Sequence, residues 1–154
     1  VFGSSGAVQK AIEGQEPFLT MVQGGNKDTK SPVPQIGHLD SVNPSDLYGA
    51  TKIFGEALSK MYSNTTHMSV LVIRLGRVTE ENRPRNVRDA SVYLSHRDAS
   101  QMVMRCVEAK DDLPFEIFYA VSNNFNRFRD IDYARKIIGY VPQDGIKSWP
   151  LPAS

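Results

Sequence analysis

Three apolar runs in the chain alternate with segments of helical periodicity. The strongest run, residues 69–76, is apolar with almost no alternation, which is typical of a strand covered on both faces. Residues 1–5 and 115–122 also have strand character, and the second run is rich in aromatic and branched side chains. Strands that alternate with helices favour right-handed crossovers and parallel pairing. The pattern predicts an α/β fold, the C-terminal half of a doubly wound parallel sheet with flanking helices.

The longest predicted helix is capped by Asn43 or Ser45 and ends near Tyr62. Gly55 lies in its interior and lowers the local helix preference, so we expect close packing against another element there. Apolar residues recur in this helix at helical spacing and give it an apolar stripe, namely Leu47, Phe54, Leu58 and Met61.

Two later helices are predicted from their ends. Ser95, with Asp98 three residues on, is close to a capping box and begins a helix over 97–109. Asp130 is expected to cap the last helix, and Gly139 is expected to end it.

The remaining segments are predicted to be irregular. Residues 6–43 are rich in Gly, Pro and polar side chains, and we expect mostly surface loop with one or two helical turns at 7–13. Within them, 24–28 is predicted as a turn and 31–34 as extended chain. Residues 141–154 are predicted to form an irregular tail.

Composition narrows the function classes without choosing among them. The 154 residues carry a net charge of +1 with both signs interspersed, which gives no reason to expect nucleic acid or a membrane as partner. Cys106 is the single cysteine, so a disulfide framework is excluded, and we expect a small buried hydrophobe in a cytoplasmic protein. His38, His67 and His96 lack metal-ligand spacing, so no metal is expected.

The candidate chemistry centres on Tyr48 and Lys52. They stand four residues apart in the predicted helix and therefore share one face. A phenol ionises near pH ~10, and a neighbouring cation favours the phenolate. A pair of this kind suits general acid–base catalysis at neutral pH. The alternative is a surface pair that adds only about 0.3 kcal/mol to helix stability.

This pair belongs to an ordered set of three motifs. The set is a strand that ends in Ser4-Ser5, the motif Pro44-x-x-x-Tyr48-Gly-x-x-Lys52, and a strand that ends in Arg74-x-Gly76. The order resembles the extended short-chain dehydrogenase/reductases, the branch that contains the NAD-dependent nucleotide-sugar epimerases and dehydratases. Residues 93–98, 119–124 and 138–144 are most similar to uronate dehydrogenases and related sugar oxidoreductases.

The resemblance implies a role for each matched residue. Tyr48 would transfer the proton, Lys52 would favour its phenolate and bind the nicotinamide ribose hydroxyls, and Ser5 would hydrogen-bond the reacting substrate oxygen. Arg74 and Gly76 would approach the nicotinamide end of the cofactor NAD. For Ser5, a turn serine bonded to its own backbone is the structural alternative.

Substrate binding is implied for Ser5, Gly6 and Arg88. Arg88 matches a carboxylate-binding arginine of uronate dehydrogenases, and a planar guanidinium suits a sugar carboxylate. A solvated surface position is the alternative for Arg88. The chain also departs from that pattern: Gly6-Ala7 stand in place of Asn-His, and Arg77 stands in place of a substrate-binding serine.

The implied function is an NAD-dependent sugar oxidoreductase, with NADP not excluded and a sugar or sugar acid as substrate. The alternatives are a nucleotide-sugar epimerase or dehydratase and a truncated, non-catalytic relative that oligomerises. Residues 1–140 would be a partial NAD(P)-binding Rossmann-like domain that lacks the Gly-rich phosphate turn, so we expect the chain alone to bind NAD poorly. The strand-like start at Val1 is interpreted as part of a longer protein. The resemblance also implies a homodimer through the helix of Tyr48.

Overall fold

The computed structural model describes residues 1–24 and 34–149, and its centre is a sheet of three parallel strands. The strands are β1 (Phe2–Ser5), β2 (Val70–Leu75) and β3 (Phe115–Ala120), in the order β1-β2-β3. The register pairs Ser5 with Leu75 and Leu75 with Ala120, so the three strands end at one edge of the sheet. The predicted parallel α/β fold is confirmed.

Helices fill the connections between the strands. They are a 3-10 helix (Gly6–Gly14), α1 (Phe18–Val22), α2 (Leu47–Thr66), α3 (Val87–Ser91), α4 (His96–Val107) and α5 (Asp132–Ile138). The predicted Ser95 cap is confirmed, because its hydroxyl accepts from the Asp98 N–H. Gly139 ends α5 in the left-handed conformation, as expected.

Two helix starts differ from the prediction. The side chain of Asp46, and not that of Asn43 or Ser45, caps α2 by accepting from the Gly49 N–H at 2.7 Å. Ile131 is the N-cap residue of α5, and its side chain makes no capping hydrogen bond. The Asp130 carboxylate, one residue earlier, accepts from the Asp132 N–H. Several polar residues precede each helix, and local spacing does not decide which of them reaches a backbone N–H.

The two faces of β2 contact different helices. Its Arg74 side chain bonds Glu56 of α2, whereas Leu71 and Ile73 join a core cluster with Met102 of α4. Alternate strand residues point to opposite faces, so α2 and α4 lie on opposite sides of the sheet. The core cluster also takes residues from β3, α5 and the loops, namely Phe118, Ala120, Ala134, Ile138, Phe128 and Tyr140.

The apolar stripe of α2 does not face the sheet. Leu47 is 80% exposed and Phe54 is 69% exposed, and Leu58 and Met61 are also exposed. The face of α2 that is buried carries small and polar residues instead: Gly49, Glu56, Ser59 and Ser63. A side chain at Gly55 would lie 2.3 Å from the Phe2 ring, so the predicted close packing at Gly55 is confirmed.

The described parts of the segment predicted as surface loop, 6–24 and 34–43, contain more helix and more buried side chains than expected. Besides the 3-10 helix it forms α1, and Val8, Met21 and Ile36 are buried. These apolar residues are too widely separated in sequence to show helical or strand periodicity. Residues 25–28 of the predicted turn and 31–33 of the predicted extended segment lie outside the described residues.

The tail over 141–149 has no helix or strand but is docked onto the body of the protein. The Asp144 carbonyl accepts from the Asn123 N–H, and the Ile146 carbonyl accepts from the Phe125 N–H. Cys106 is buried, and burial raises the pKa of its thiol to about 11, in agreement with its expected packing role. None of the helices described is both long and apolar enough to cross a membrane.

Candidate functional site

A cavity of about 410 Å³ opens where the three strands end. Ligands of open α/β sheets bind at the carboxyl ends of the strands, so this is where a site is expected. Its lining comes from the residues that end or follow the strands and from the start of α2: Ser4, Ser5, Ala7, Lys10, Glu13, Asp46, Tyr48, Leu75, Gly76, Arg77, Val78, Arg88, Val92, Tyr119, Val121 and Arg129.

Tyr48 and Lys52 lie together at the first turns of α2, beside the cavity. The Lys52 ammonium is 5.5 Å from the centre of the Tyr48 ring, and it donates to the Gly3 carbonyl of β1 at 2.9 Å. Tyr48 lines the cavity and is about half exposed. The helix and strand β1 therefore hold the cation next to the phenol, as the spacing predicted.

The start of α2 approaches the chain just beyond β1. A side chain at Gly49 would lie 2.6 Å from the Ala7 carbonyl, so only glycine permits this distance. The hydrogen bond from the Gly49 N–H also lowers the pKa of Asp46 and fixes the first turn. This close approach brings Tyr48 and Ser5 to the same cavity.

The two serines at the end of β1 have different surroundings. Ser4 is buried and donates to Glu56 Oε1 at 2.6 Å. Ser5 Oγ accepts from the Ala7 N–H at 3.2 Å, so the alternative of a turn serine is present in the structure. Ser5 also lines the cavity, and the same hydroxyl retains a proton that it can donate.

Arg74 lies away from the cavity lining, although Gly76 forms part of it. Two nitrogens of the buried Arg74 donate to the Glu56 carboxylate at 2.9 and 2.8 Å, and a third donates to the His38 carbonyl. Burial opposes the charge of Arg74, but hydrogen bonds and charge from Glu56 and Tyr119 raise its pKa. The structure therefore places Arg74 in a buried ion pair with Glu56, outside the cavity lining.

Arg88 lines the cavity, and its guanidinium already binds a carboxylate. Its Nε and Nη2 donate to Glu13 Oε2 and Oε1 at 2.9 and 3.0 Å. Burial lowers the pKa of Arg88, but the hydrogen bonds and charge of Glu13 outweigh it and raise that pKa. Gly6 is outside the lining, and its carbonyl accepts from Arg129 Nη2 at 3.3 Å.

Sequence reasoning missed a buried polar group at the base of this site. Arg129 is 2% exposed and donates to Glu13 Oε1 at 3.1 Å and to the Tyr119 hydroxyl at 3.3 Å. Gln9 accepts from that hydroxyl and donates to the Asp40 carbonyl at 2.6 Å. These residues come from distant parts of the chain, so their spacing carries no signal. Across 1–24 and 34–149 there is no cluster of acidic, Cys or His side chains that could hold a metal.

Relatives in sequence match most of the chain, although no family model matches it. An NAD-dependent glucose-6-phosphate dehydrogenase of Haloferax volcanii is 38% identical over 102 residues, 66% of this chain and 38% of that protein. A uronate dehydrogenase of Pseudomonas syringae is 30% identical over 116 residues, 71% of this chain and 41% of that protein. The chain thus spans less than half the length of these relatives.

The fold superposes on solved structures of sugar-converting enzymes. A glucuronic acid dehydrogenase of Chromohalobacter salexigens superposes with a TM-score of 0.71 at 26% identity, over 94% of this chain and 46% of that chain. A UDP-galactose 4-epimerase gives a TM-score of 0.61 at 16% identity, over 94% of this chain and 57% of that chain. At that lower identity the epimerase shows the shared fold alone.

Proposed function

Since the chain is related to the NAD-dependent sugar dehydrogenases of the extended short-chain dehydrogenase/reductase family, we propose that it carries the proton-transfer half of a sugar dehydrogenase. The observation that supports this best is the cavity that Tyr48 and Ser5 share, with Lys52 anchored beside Tyr48. Both sequence relatives described above are dehydrogenases, whereas the epimerase shows the shared fold alone. The dehydrogenase is therefore the function we propose.

The chain offers suitable groups for one end of the cofactor. Lys52 has three donor hydrogens, and the Gly3 carbonyl takes one of them, so the ammonium has hydrogens for ribose hydroxyls. NAD, when bound, would accept a hydride from the sugar carbon. Among the described residues we find no Gly-rich phosphate turn, so the pyrophosphate would need other residues.

The chain's own residues would handle the proton. The Tyr48 phenolate would take the proton of the sugar hydroxyl, and the Lys52 ammonium beside it would stabilise the phenolate. Ser5 would donate its hydroxyl hydrogen to the same sugar oxygen while its lone pair stays on the Ala7 N–H. Tyr48 and Ser5 would thus both act at the sugar oxygen, and Lys52 would act through Tyr48.

The proposal is tested by NADH formation, measured by absorbance in the native polypeptide that carries this chain. We expect sugar-dependent reduction of NAD, and we expect Lys52→Met to lower kcat about 10²-fold because the phenolate loses its cation. Lys60→Met is the matched control, since Lys60 lies on the same helix over the Phe115 ring and away from the cavity lining.

Two outcomes would contradict the proposal. One is equal loss of activity in Lys52→Met and Lys60→Met, which would indicate a general effect on α2. The other is a folded polypeptide that neither binds NAD in calorimetry nor reduces it with any aldose or uronate. That second outcome would favour the non-catalytic alternative.

We also propose that a second copy covers the exposed face of α2. Leu47, Phe54 and Leu58 follow helical spacing on a helix about 30 Å long, and one helix can pair with its own copy about a two-fold axis. Large apolar side chains exposed together on one helix face are typical of an interface.

The dimer is tested by light scattering after size-exclusion chromatography. We expect a dimer for the unaltered protein and a monomer for Phe54→Asp, because a charge at the centre of the apolar face opposes pairing. Val107→Asp is the control, since Val107 is equally exposed but lies at the end of α4. A monomeric parent protein, or dissociation by both substitutions alike, would contradict this interface.

A further inference from the structure

The Arg88 guanidinium is occupied on the edge that would receive a substrate carboxylate. Bidentate binding of a carboxylate uses two parallel N–H donors of one guanidinium. In Arg88 these donors are Nε and Nη2, and both bond the Glu13 carboxylate, at 2.9 and 3.0 Å. A side chain of the protein thus fills the place of an external carboxylate.

Glu13 is also held from its other side. Arg129 Nη2 donates to Glu13 Oε1 at 3.1 Å, so two guanidinium groups share this carboxylate. The Glu13 side chain is 9% exposed, and Arg129 is 2% exposed behind it. Glu13 belongs to the 3-10 helix, whose residue Gln9 is fixed four positions earlier by Tyr119 and by the Asp40 carbonyl. The carboxylate is therefore part of a built site and not a mobile surface group.

The second edge of Arg88 also faces a carboxylate. Arg88 Nη1 is 3.7 Å from Asp89 Oδ1, and Arg77 Nε is 3.6 Å from Asp89 Oδ2. The guanidinium groups of Arg77, Arg88 and Arg129 therefore share the carboxylates of Glu13 and Asp89. Arg77 is the most exposed of the three arginines, with 45% of its side chain accessible. Further along the lining, Lys10 is paired with Asp46 at 3.3 Å. Glu13 thus takes the two parallel donors of Arg88, while Asp89 lies near Nη1 at ion-pair distance.

We infer that Glu13 determines specificity, by occupying Arg88 so that the site takes aldoses without a carboxylate and rejects uronates. A sugar hydroxyl or ring oxygen can approach the Glu13–Arg88 pair without displacing the Glu13 carboxylate. A uronate would bring its carboxylate against Glu13, and like charges at such a distance disfavour binding. The inference rests on the proposed sugar dehydrogenase function, and it assigns the substrate class.

Removal of Glu13 should convert the position into a carboxylate site. In Glu13→Ala, Arg88 and Arg129 lose their shared partner, and an added carboxylate can take its place. A ligand that binds the folded state alone raises the unfolding temperature. We therefore expect D-glucuronate to raise the Tm of Glu13→Ala by several degrees, with D-glucose at the same concentration as the neutral probe and sodium chloride matching the ionic strength.

The control is Glu16→Ala. Glu16 lies just beyond Glu13 in the chain, and its exposed carboxylate accepts from the Thr20 hydroxyl. We expect D-glucuronate to leave the Tm of the unaltered protein and of Glu16→Ala unchanged. Equal stabilisation of the unaltered protein by D-glucuronate would overturn the inference, because Arg88 would then be accessible. No stabilisation of Glu13→Ala would also overturn it, because the emptied position would not accept a carboxylate.

Glu13→Gln serves if the alanine variant does not fold, since the amide keeps the side chain's volume and loses its charge. The same comparison of D-glucuronate with D-glucose then applies, with Glu16→Gln as control and the same outcomes deciding. Melting does not depend on turnover or on NAD. If the protein oxidises no sugar, the proposed function is refuted. The Tm comparison would still show whether Glu13 closes the site to carboxylates.

Discussion

Replacement of Tyr48 by phenylalanine should lower kcat for sugar oxidation about 10³-fold in the native polypeptide that carries this chain. The substitution removes one hydroxyl group, and that group is the proposed acceptor of the sugar proton. Tyr48 is about half exposed, and within residues 1–24 and 34–149 its hydroxyl makes no hydrogen bond that the substitution would break. Loss of activity should therefore come without loss of stability, which thermal unfolding would check alongside NADH formation.

Tyr62→Phe is the matched control for this prediction. Tyr62 lies on the same helix with similar exposure, but it is outside the cavity that Tyr48 lines. We expect its kcat to stay within about twofold of the unaltered protein, as is usual for a surface substitution away from special features. Activity in Tyr48→Phe at the level of Tyr62→Phe would exclude Tyr48 as the proton acceptor.

Replacement of Glu56 by alanine should lower the free energy of unfolding by about 3–5 kcal/mol. Glu56 is buried and accepts from Arg74 at 2.9 and 2.8 Å and from the Ser4 hydroxyl at 2.6 Å. Without it, the buried Arg74 guanidinium would lack its carboxylate, which is far more costly than losing an exposed pair. Urea unfolding followed by circular dichroism measures the change.

The control for Glu56→Ala is Glu81→Ala, which breaks an exposed pair with Arg85 four residues on. Exposed pairs contribute little, so its unfolding curve should overlay that of the unaltered protein. Equal effects of the two substitutions would show that the Glu56–Arg74 pair does not hold α2 to the sheet. Glu56 lies one turn beyond Lys52, so the same ion pair fixes how α2 presents Lys52 and Tyr48.

The chain order of strands and helices was accessible from local pattern. The run 69–76 is apolar on both faces because both faces are covered, and this reads directly as a buried strand. The spacing of Tyr48 and Lys52 likewise placed them on one helix face, and the structure brings them together. In both cases the information lies within a few residues of chain.

Orientation of the helices was not accessible in this way. The stripe Leu47–Phe54–Leu58 marks one face of α2 but does not say whether the sheet or another surface meets it. The side facing the sheet carries Gly55 and Glu56, because Phe2 of β1 approaches Gly55 too closely for a side chain and because Glu56 pairs with Arg74 of β2. Hydrophobic periodicity alone therefore does not identify the face of α2 that packs on the sheet.

The sequence alone determined the fold class, the family resemblance and the Tyr48–Lys52 pair, because each depends on spacing within one element or on the order of elements. Only the tertiary structure decided which carboxylate each arginine binds. Arg74 and Arg88 are equally charged in the sequence, yet one is buried against Glu56 and the other is bound by Glu13 at the cavity. Those partners lie 18 and 75 residues away, and a contact between such distant residues exists only once the chain has folded.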